Sequence, residues 1–295
     1  MGTIRFTKIQ GAGNDFVLVE TRDGQRDWSR LAATLCDRHF GVGADGLLLL
    51  MPAEDSDFRM RVFNADGSEA EVCGNGLRCM VRYFIENRPA GTLGDDVSVK
   101  TASGIRRARF RRSDGREAEI QVSMGEPRIG SENLPVQSAQ SEGSVDIKRT
   151  LTCMIGVGGR ELEVCQVSMG NPHAVHFTQE PVERFPLPEI GPLVEHHPAF
   201  PGGTNFEVVN VVGRGGVEAR VWERGVGETL ACGSGACAVV VAGHLLDHLE
   251  RKATVRLPGG VLGVEWNGSG EVYLSGPAEV VFTGEWPDTR RERAG

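Results

Sequence analysis

The stretch from Val221 to Ala238 reads V-W-E-R-G-V-G-E-T-L-A-C-G-S-G-A-C-A. Cys232 lies directly before a glycine-rich turn, and an apolar run from Ala236 to Leu249 follows that turn. A turn of this kind before a long apolar run is typical of a loop that leads into a buried helix. We therefore predict a helix from about Gly235 to Leu249 that is apolar almost all round and wrapped by a sheet.

The same arrangement occurs earlier, as R-V-F-N-A-D-G-S-E-A-E-V-C-G-N-G-L-R-C from Arg61 to Cys79. Cys73 and Cys232 are 159 residues apart. The same offset relates further like residues: Arg61 with Arg220, Glu69 with Glu228, Gly74 with Gly233 and Gly76 with Gly235. It also relates Gly43–Leu47 to Gly202–Phe206. A repeat this long indicates a duplicated domain rather than a short-repeat solenoid.

Two weaker echoes extend the duplication. Ser168–His173 resembles Gly13–Asp15, and Val255–Gly260 resembles Val99–Gly104 at an offset of 156. We place one domain at residues 1–127 with 277–295, carrying Cys73, and the other at 128–276, carrying Cys232. Residues 130–148 are poor in bulky apolar side chains and predict a connection or an exposed hairpin, and the charged tail from 288 predicts a frayed end.

Local patterns in the first half predict a mostly β structure with two helices. We expect Ser29 to cap a helix that runs to about Phe40, and a second helix to span about Gly76 to Glu86. Alternating or continuous apolar segments predict strands, at residues 4–9, 16–20, 47–51, 58–63, 97–101, 105–110 and 117–122.

Composition restricts the class of protein. The chain has 295 residues and a net charge of −8, which argues against nucleic acid and anionic membranes as partners. No apolar run approaches the roughly 20 residues of a membrane span, and the N-terminal residues lack the apolar core of a signal peptide. Seven cysteines are an odd number in a long chain, so we expect reduced thiols in a cytosolic protein.

A cysteine at the start of a helix is a candidate for chemistry. Helix N-termini present unpaired N–H groups and partial positive charge, so we expect the pKa of Cys73 and Cys232 to be lowered. The glycines around Asn75 and Ser234 let backbone N–H groups approach a carboxylate. Two such copies related by a pseudo-twofold axis would bring their sulfurs to opposite faces of one carbon.

Such a pair suits inversion at a carbon α to a carboxylate. One thiolate removes the proton and the opposing thiol delivers another. The difficulty is the weak acidity of the α-C–H. Pyridoxal phosphate would supply an electron sink but needs a Schiff-base lysine, and none of the four lysines lies in either cysteine turn. We infer a cofactor-free mechanism in which helix-end N–H groups stabilise the developing charge.

The quoted motifs, together with K-I-Q-G-A-G-N-D-F, S-M-G-N-P-H and G-G-T-N, occur in family order, and the chain resembles the diaminopimelate epimerases over almost its whole length. The resemblance implies an α/β (α+β) fold of two pseudo-symmetric domains, each a curled, mostly antiparallel sheet around a central helix. It implies a pyridoxal-phosphate-independent isomerase that interconverts LL- and meso-diaminopimelate for lysine and cell-wall precursor synthesis. It also implies a homodimer.

The same resemblance implies roles for individual residues. Cys73 and Cys232 match the acid/base pair, and His173 and Glu223 match positions that tune these cysteines. The remaining matches are substrate-binding positions: Asn14, Asn64, Gly74, Asn75, Asn171, Asn205, Glu223, Arg224, Gly233 and Ser234. Three positions depart from the pattern of some relatives: Gln10 replaces a His, Gly46 replaces a substrate-contacting Gln, and Phe282 replaces a Tyr at the dimer contact.

Two other functions stay open: a proline-type racemase with the same two-cysteine logic, and a non-catalytic amino-acid-binding scaffold. The uncharged amides and Arg224 favour an open-chain substrate with a second charged end. We assign Cys36, Cys79, Cys153, Cys165 and Cys237 to the core. The C-x5-C and C-x4-C spacings lack the tight C-x2-C of structural zinc sites, so we predict no metal site.

Overall fold

The computed structural model describes residues 2–70, 73–88, 96–113, 116–129 and 151–288, and it describes only the backbone of residues 111–113 and 116–118. The predicted connection at 130–148 and the tail beyond 288 lie outside these ranges. The chain divides into two compact units, Met1–Val122 with Pro277–Gly295, and Ser123–Gly276. The domain limits given above stay a prediction.

The first unit is a mixed sheet. Its strands are β1 (Thr3–Gly11), β2 (Asn14–Glu20), β3 (Gly46–Met51), β4 (Phe58–Asn64), β5 (Glu69–Ala70), β6 (Asp96–Thr101), β7 (Gly104–Ser113), β8 (Arg116–Gly125) and, from the end of the chain, β19 (Glu279–Pro287). Neighbours pair antiparallel along β19–β1–β2 and β6–β7–β8, and β3–β4 and β4–β5 are also antiparallel. The pairs β2–β3 and β4–β6 are parallel.

Helix α1 (Trp28–Cys36) corrects two predictions. Asp27, not Ser29, caps it, because Trp28 is buried as the first helical residue and the side chain of Asp27 accepts from Arg30 N–H at 3.0 Å. The helix ends at Cys36 rather than near Phe40. The side chain of Asp37 accepts the N–H groups of His39 and Phe40 and turns the chain there, as Asp does outside helices.

Helix α2 (Gly74–Glu86) is the central helix of the first unit. It packs against β1, β2, β3, β4, β7 and β19. It begins two residues before the predicted start at Gly76, because Cys73 itself is the N-cap. Leu77, Met80 and Val81 are buried, as the apolar stripe predicts.

The second unit repeats this pattern. Its strands are β9 (Arg128–Ile129), β10 (Thr152–Val157), β11 (Arg160–Ser168), β12 (Pro172–Thr178), β13 (Asn205–Gly213), β14 (Gly216–Glu223), β15 (Gly227–Thr229), β16 (Lys252–Leu257), β17 (Gly260–Glu265) and β18 (Val272–Gly276). Here β12–β13 and β14–β16 are parallel, and the other pairs are antiparallel. These two parallel pairs match β2–β3 and β4–β6, which confirms the duplication.

Two helices belong to the second unit, α3 (Leu187–Glu195) and α4 (Gly233–Leu245), with a short 3-10 helix at Val182–Arg184 before α3. Helix α4 packs against strands β11, β12, β13, β16, β17 and β18, and Val239–Ala242 are fully buried. The predicted sheet-wrapped helix and the fold class are thus confirmed, although α4 ends at Leu245 rather than Leu249. None of the helices in the described ranges is long and apolar enough to cross a membrane.

Candidate functional site

The two cysteine turns have the same geometry. Cys73 and Cys232 are both N-caps with extended backbones, at φ −135° and −121°. The sulfur of Cys73 accepts from Gly76 N–H at 3.3 Å, and that of Cys232 accepts from Gly235 N–H at 3.4 Å. Each sulfur therefore lies at the positive end of a buried helix, and the first backbone N–H groups of that helix lie beside it.

The expected lowering of the Cys232 pKa is wrong for this structure. Burial raises the pKa of this thiol well above its usual range, and the nearby carboxylates of Glu223 and Glu207 raise it further. The hydroxyl of Ser234 and the N–H of Gly235 lower it, but less. Removal from water disfavours a thiolate more than one helix end favours it, so Cys232 is a thiol.

The other five cysteines lie mostly in the core. Cys36, Cys79, Cys165 and Cys237 are buried, as predicted, whereas Cys153 is half-buried. Burial raises the pKa of Cys36 to about 12 and raises those of Cys79, Cys153 and Cys165 as well. None of the seven cysteines, all of which lie in the described ranges, forms a disulfide bond. Within the described ranges, no cluster of His, Cys, Asp or Glu side chains has a geometry that would hold a metal ion.

Asn14 and Asn75 adjoin Cys73. The Asn14 Nδ2 donates to Asp45 Oδ2 at 2.7 Å. Because a carboxylate only accepts, the Asn14 carbonyl must point the other way. There Oδ1 accepts from Asn75 Nδ2 at 3.3 Å and lies 3.9 Å from the Cys73 sulfur. Asp45, which the sequence motifs did not single out, therefore sets the orientation of a predicted substrate-binding amide.

Asp45 belongs to a charged network under this part of the site. Arg38 Nη2 donates to Asp15 and to Asp45, each at 2.7 Å, and Lys8 donates to Asp15 and to the carbonyl of Gly43. Burial alone would raise the pKa of Asp15, but the hydrogen bonds from Arg38 and Lys8 outweigh burial and lower it to about 2. The network thus keeps the Asp15 carboxylate charged beside the loop that carries Asn14.

We expect Asp15→Asn to lower the free energy of unfolding by about 2 kcal/mol at neutral pH. The folded pKa of Asp15 lies below its unfolded value of 3.8. Its stabilisation is therefore complete above that value and is lost as the pH falls through about 2. Urea unfolding across a pH series measures the difference. Asp55→Asn, which removes a surface pair with Lys100, serves as the control and is expected to change the stability little. A pH-independent loss for Asp15→Asn would contradict the prediction.

Asn171, His173 and Ser234 lead to Cys232. His173 Nδ1 lies 2.7 Å from Glu207 Oε1, and its Nε2 lies 3.1 Å from Asn171 Oδ1. Asn171 Nδ2 donates to Ser234 Oγ at 3.4 Å, and that hydroxyl lies 3.4 Å from the Cys232 sulfur. His173 and Glu207 are both fully buried. The chain of contacts joins the buried His173–Glu207 pair to the cysteine turn.

Glu223 and Arg224 lie at the end of β14. Glu223 accepts from Thr229 Oγ1 at 2.5 Å. Burial raises the pKa of Glu223, and its hydrogen bonds with Thr229 and Cys232 only partly oppose that rise. Arg224 is exposed and donates through Nη1 to the carbonyl of Gly202 at 2.9 Å. Glu223 thus forms a hydrogen bond with Cys232. The next residue, Arg224, carries an exposed guanidinium.

Two of the predicted substrate-binding asparagines form hydrogen bonds within the protein. Asn205 donates to Pro172 O and accepts from Arg224 N–H, each at 2.9 Å, so it fixes the backbone of Arg224. Asn64 donates to Ser68 Oγ at 2.9 Å in the β4–β5 turn. No contact of the Asn64 side chain with the Cys73 turn is found within the described ranges.

The departures at Gln10 and Gly46 have local explanations. Gln10 accepts from Gly13 N–H at 2.9 Å and donates to Glu279 at 3.0 Å, so it braces the loop before Asn14. A Cβ at Gly46 would lie 2.7 Å from the carbonyl of Phe63. The backbone at this position therefore excludes any side chain.

Sequence reasoning also missed Glu195. This buried carboxylate accepts from Trp222 Nε1 at 2.7 Å and from Gly225 N–H at 2.8 Å, and so fixes both sides of the Glu223–Arg224 pair. It lies in α3, which was not predicted because Pro188 and Pro192 interrupt the segment. The local indication of a helix is Pro188, because Pro is tolerated in the first turn of a helix.

Comparison with solved structures defines the class of fold. A phenazine biosynthesis protein of the PhzF family from Bacillus anthracis has a TM-score of 0.70 at 15% identity, over 97% of this chain and 100% of that one. A hydroxyproline epimerase from Agrobacterium vitis, with bound trans-4-hydroxy-L-proline, has a TM-score of 0.69 at 15% identity, over 96% and 92%. The chain has the fold of these proteins.

Sequence comparison defines the family. The diaminopimelate epimerase family model matches residues 6–130 and 165–281. A diaminopimelate epimerase from Acetivibrio thermocellus is 48% identical over 96% of this chain and 98% of its own length, and one from Pelotomaculum thermopropionicum is 45% identical over 96% and 99%. The chain belongs to the diaminopimelate epimerase family and is an epimerase, which confirms the resemblance found in its motifs.

Proposed function

We propose that this chain interconverts LL- and meso-diaminopimelate by proton transfer at the α-carbon between Cys73 and Cys232. The observation that carries the proposal is the pair of matching turns, in which each cysteine caps the N-terminus of a buried helix. Two such turns in a duplicated chain supply one acid and one base for the two faces of a stereocentre. Membership of the family supports this substrate.

Each turn also offers N–H groups to the reacting carboxylate. In the proposal, the backbones of Gly74 and Asn75 and of Gly233 and Ser234 bind the two sides of that carboxylate. These groups belong to the first turns of α2 and α4, where backbone N–H groups have no partner within the helix. They stabilise the charge that develops as the α-proton leaves.

The proton balance needs one thiolate and one thiol. The thiolate takes the α-proton from one face while the opposing thiol gives its proton to the other face, and the reverse reaction exchanges the two roles. Two thiolates on one carbon would repel, so the pair titrates jointly. In the proposal, His173 and Glu223 adjust the protonation of the Cys232 thiol through the contacts described above.

We propose that the reaction uses no cofactor. A Schiff-base cofactor needs a lysine with a free amine. Lys8 is buried against Asp15, Lys100 pairs with Asp55, and Lys252 is exposed near Glu265. Lys148 lies outside the described ranges.

Arg224, with Asn14, Asn64, Asn171 and Asn205, is proposed to recognise the second, non-reacting amino-acid end of the substrate. This recognition separates the proposal from a proline-type racemase, whose ring substrate has no such end. We further propose a cytoplasmic homodimer that serves lysine and cell-wall precursor synthesis. Strand β19 exposes Val280, Val281 and Phe282, and an apolar row of this kind suits burial against a second copy.

Deuterium exchange tests the function. In D2O the purified chain is expected to place deuterium at the α-carbon of both LL- and meso-diaminopimelate, and to equilibrate the two isomers, as followed by NMR. L-Proline and trans-4-hydroxy-L-proline in parallel samples are expected to stay unlabelled. Labelling of either proline but not of diaminopimelate would favour the racemase, and labelling of none would favour a binding scaffold.

A further inference from the structure

The starts of the two central helices differ at one position. A Cβ added at Gly76 would lie 2.9 Å from Leu48 Cδ2, whereas a Cβ added at Gly235 would lie 2.7 Å from Glu207 Oε1. Leu48 and Glu207 are 159 residues apart, as are the two glycines. The duplicated fold therefore places an apolar side chain against the first turn of α2 and a carboxyl group against the first turn of α4.

The residue that contacts this carboxyl group, His173, also differs in chemical type from its counterpart in the first unit. Phe16 lies opposite Gly46 in the β2–β3 pair, and His173 lies opposite Asn205 in the β12–β13 pair. Gly46 and Asn205 are again 159 residues apart, so His173 stands at the position of Phe16. Both pairs are buried. An apolar pair, Phe16 and Leu48, in the first unit is replaced by an ionisable pair, His173 and Glu207, in the second.

A carboxylate beside the first turn of α4 competes with a Cys232 thiolate for the positive end of that helix. Gly235 N–H donates to the Cys232 sulfur at 3.4 Å, and the positive end of α4 favours one nearby anion. Glu207 supplies that anion from the side of the sheet, and Oε2 of Glu207 accepts no hydrogen bond within the described residues. At α2, the corresponding side chain is that of Leu48, which carries no charge.

Other charged groups face the two sulfurs. Around Cys232 they are Glu223 on β14, Glu207 on β13 and, beyond Glu207, His173 on β12. The Cys73 turn lines a small cavity with Arg59, Arg61 and Glu69, in which Arg61 and Glu69 pair at 2.7 Å. Both carboxylates near Cys232 raise the pKa of its thiol. Cys232 thus has two carboxylates close enough to oppose the loss of its proton.

We propose that Glu207 is a positioning residue that, together with burial and Glu223, holds Cys232 as the resting thiol, so that Cys73 is the resting thiolate of the pair. This deepens the proposed function and rests on it. In one turnover Cys73 takes the α-proton and Cys232 gives its own, which leaves the opposite protonation state. Loss of that proton from Cys73 and uptake of one by Cys232 from water then restore the resting state, with no net change in protons.

Alkylation of the full chain by iodoacetamide tests this assignment. Only the thiolate reacts, so the pH at which the rate reaches half its maximum reports each thiol separately from its accessibility. Peptide mass spectrometry follows Cys73 and Cys232 in the same sample. We expect a lower midpoint for Cys73 than for Cys232. We expect Glu207→Gln, which removes the charge and keeps the shape, to lower the Cys232 midpoint by about one pH unit, or about tenfold in thiolate fraction.

Three comparisons make the test decisive. Glu207→Leu introduces the residue type of its counterpart, Leu48, and is also expected to lower the Cys232 midpoint. The test therefore needs only one of the two Glu207 variants to fold. Glu163→Gln, which removes an exposed carboxylate on β11, is expected to move neither midpoint. A Cys232 midpoint at or below that of Cys73 in the unmodified chain, or one that Glu207 variants leave unchanged, would overturn the assignment. None of these readouts uses diaminopimelate, so a failed exchange assay and a failed assignment are distinguishable.

Discussion

Cys73→Ala and Cys232→Ala are each expected to lower kcat for diaminopimelate epimerisation by about a thousandfold or more. In the proposed mechanism, each variant loses the group that exchanges a proton with one face of the α-carbon. Because the two thiols act as one unit, the double variant is expected to lose little more than either single variant. Rates are measured by following the approach to equilibrium of both stereoisomers.

Cys153→Ala is the matched control. Its thiol is half-buried, and its sulfur accepts a hydrogen bond from Gln166 Nε2 on β11 at 3.2 Å. We expect this variant to keep the activity of the unmodified chain. Circular dichroism and thermal unfolding establish that all variants are folded. Unchanged turnover after loss of Cys73 or Cys232 would move the reaction to another site or favour the binding scaffold.

Arg224→Ala is expected to lower kcat/KM by about a hundredfold, mainly through KM. A guanidinium that binds a carboxylate contributes roughly 1.5–3 kcal/mol through charge-assisted hydrogen bonds, and the proposed role of Arg224 is at the non-reacting end. Arg224→Lys keeps the charge but loses the planar pair of donors, so only part of the affinity is expected to return. Steady-state kinetics with both isomers measure these changes.

Arg214→Ala gives the comparison for a lost positive charge. Arg214 pairs with Asp247 on the surface of the second unit, and such pairs contribute little. We expect its kcat/KM to equal that of the unmodified chain. If Arg224→Ala behaved like Arg214→Ala, Arg224 would not bind substrate, and its role would be limited to the hydrogen bond with Gly202.

Much of the fold could be predicted because the same pattern occurs twice. The turns at Cys73 and Cys232 each begin a buried helix, and the resembling segments Val99–Gly104 and Val255–Gly260 form hairpins with the same register, Thr101 opposite Gly104 and Leu257 opposite Gly260. Boundaries were less accurate. Ser29 and Asp27 are both good capping residues, and only the burial of Trp28 decides between them.

The surroundings of the site were harder to predict because they depend on tertiary contacts. The pKa of Cys232 follows from its burial, from Glu223 and from Glu207. The motif contains Glu223 and the helix end, but it does not contain Glu207 and does not report the burial. Asp45 orients Asn14 across 31 positions of the chain, and no local pattern reports such a pair. The substitution of Leu48 by Glu207 between the repeats was the one readable signal of asymmetry.

The central claim is that two sulfurs flank one stereocentre. A crystal structure of the unmodified chain with bound diaminopimelate measures this most directly, through the distances from the α-carbon to the sulfurs of Cys73 and Cys232. We predict both sulfurs within roughly 3–4 Å of the same α-carbon, on opposite faces. A substrate whose α-carbon contacts one sulfur while the other lies in a separate pocket would contradict the account.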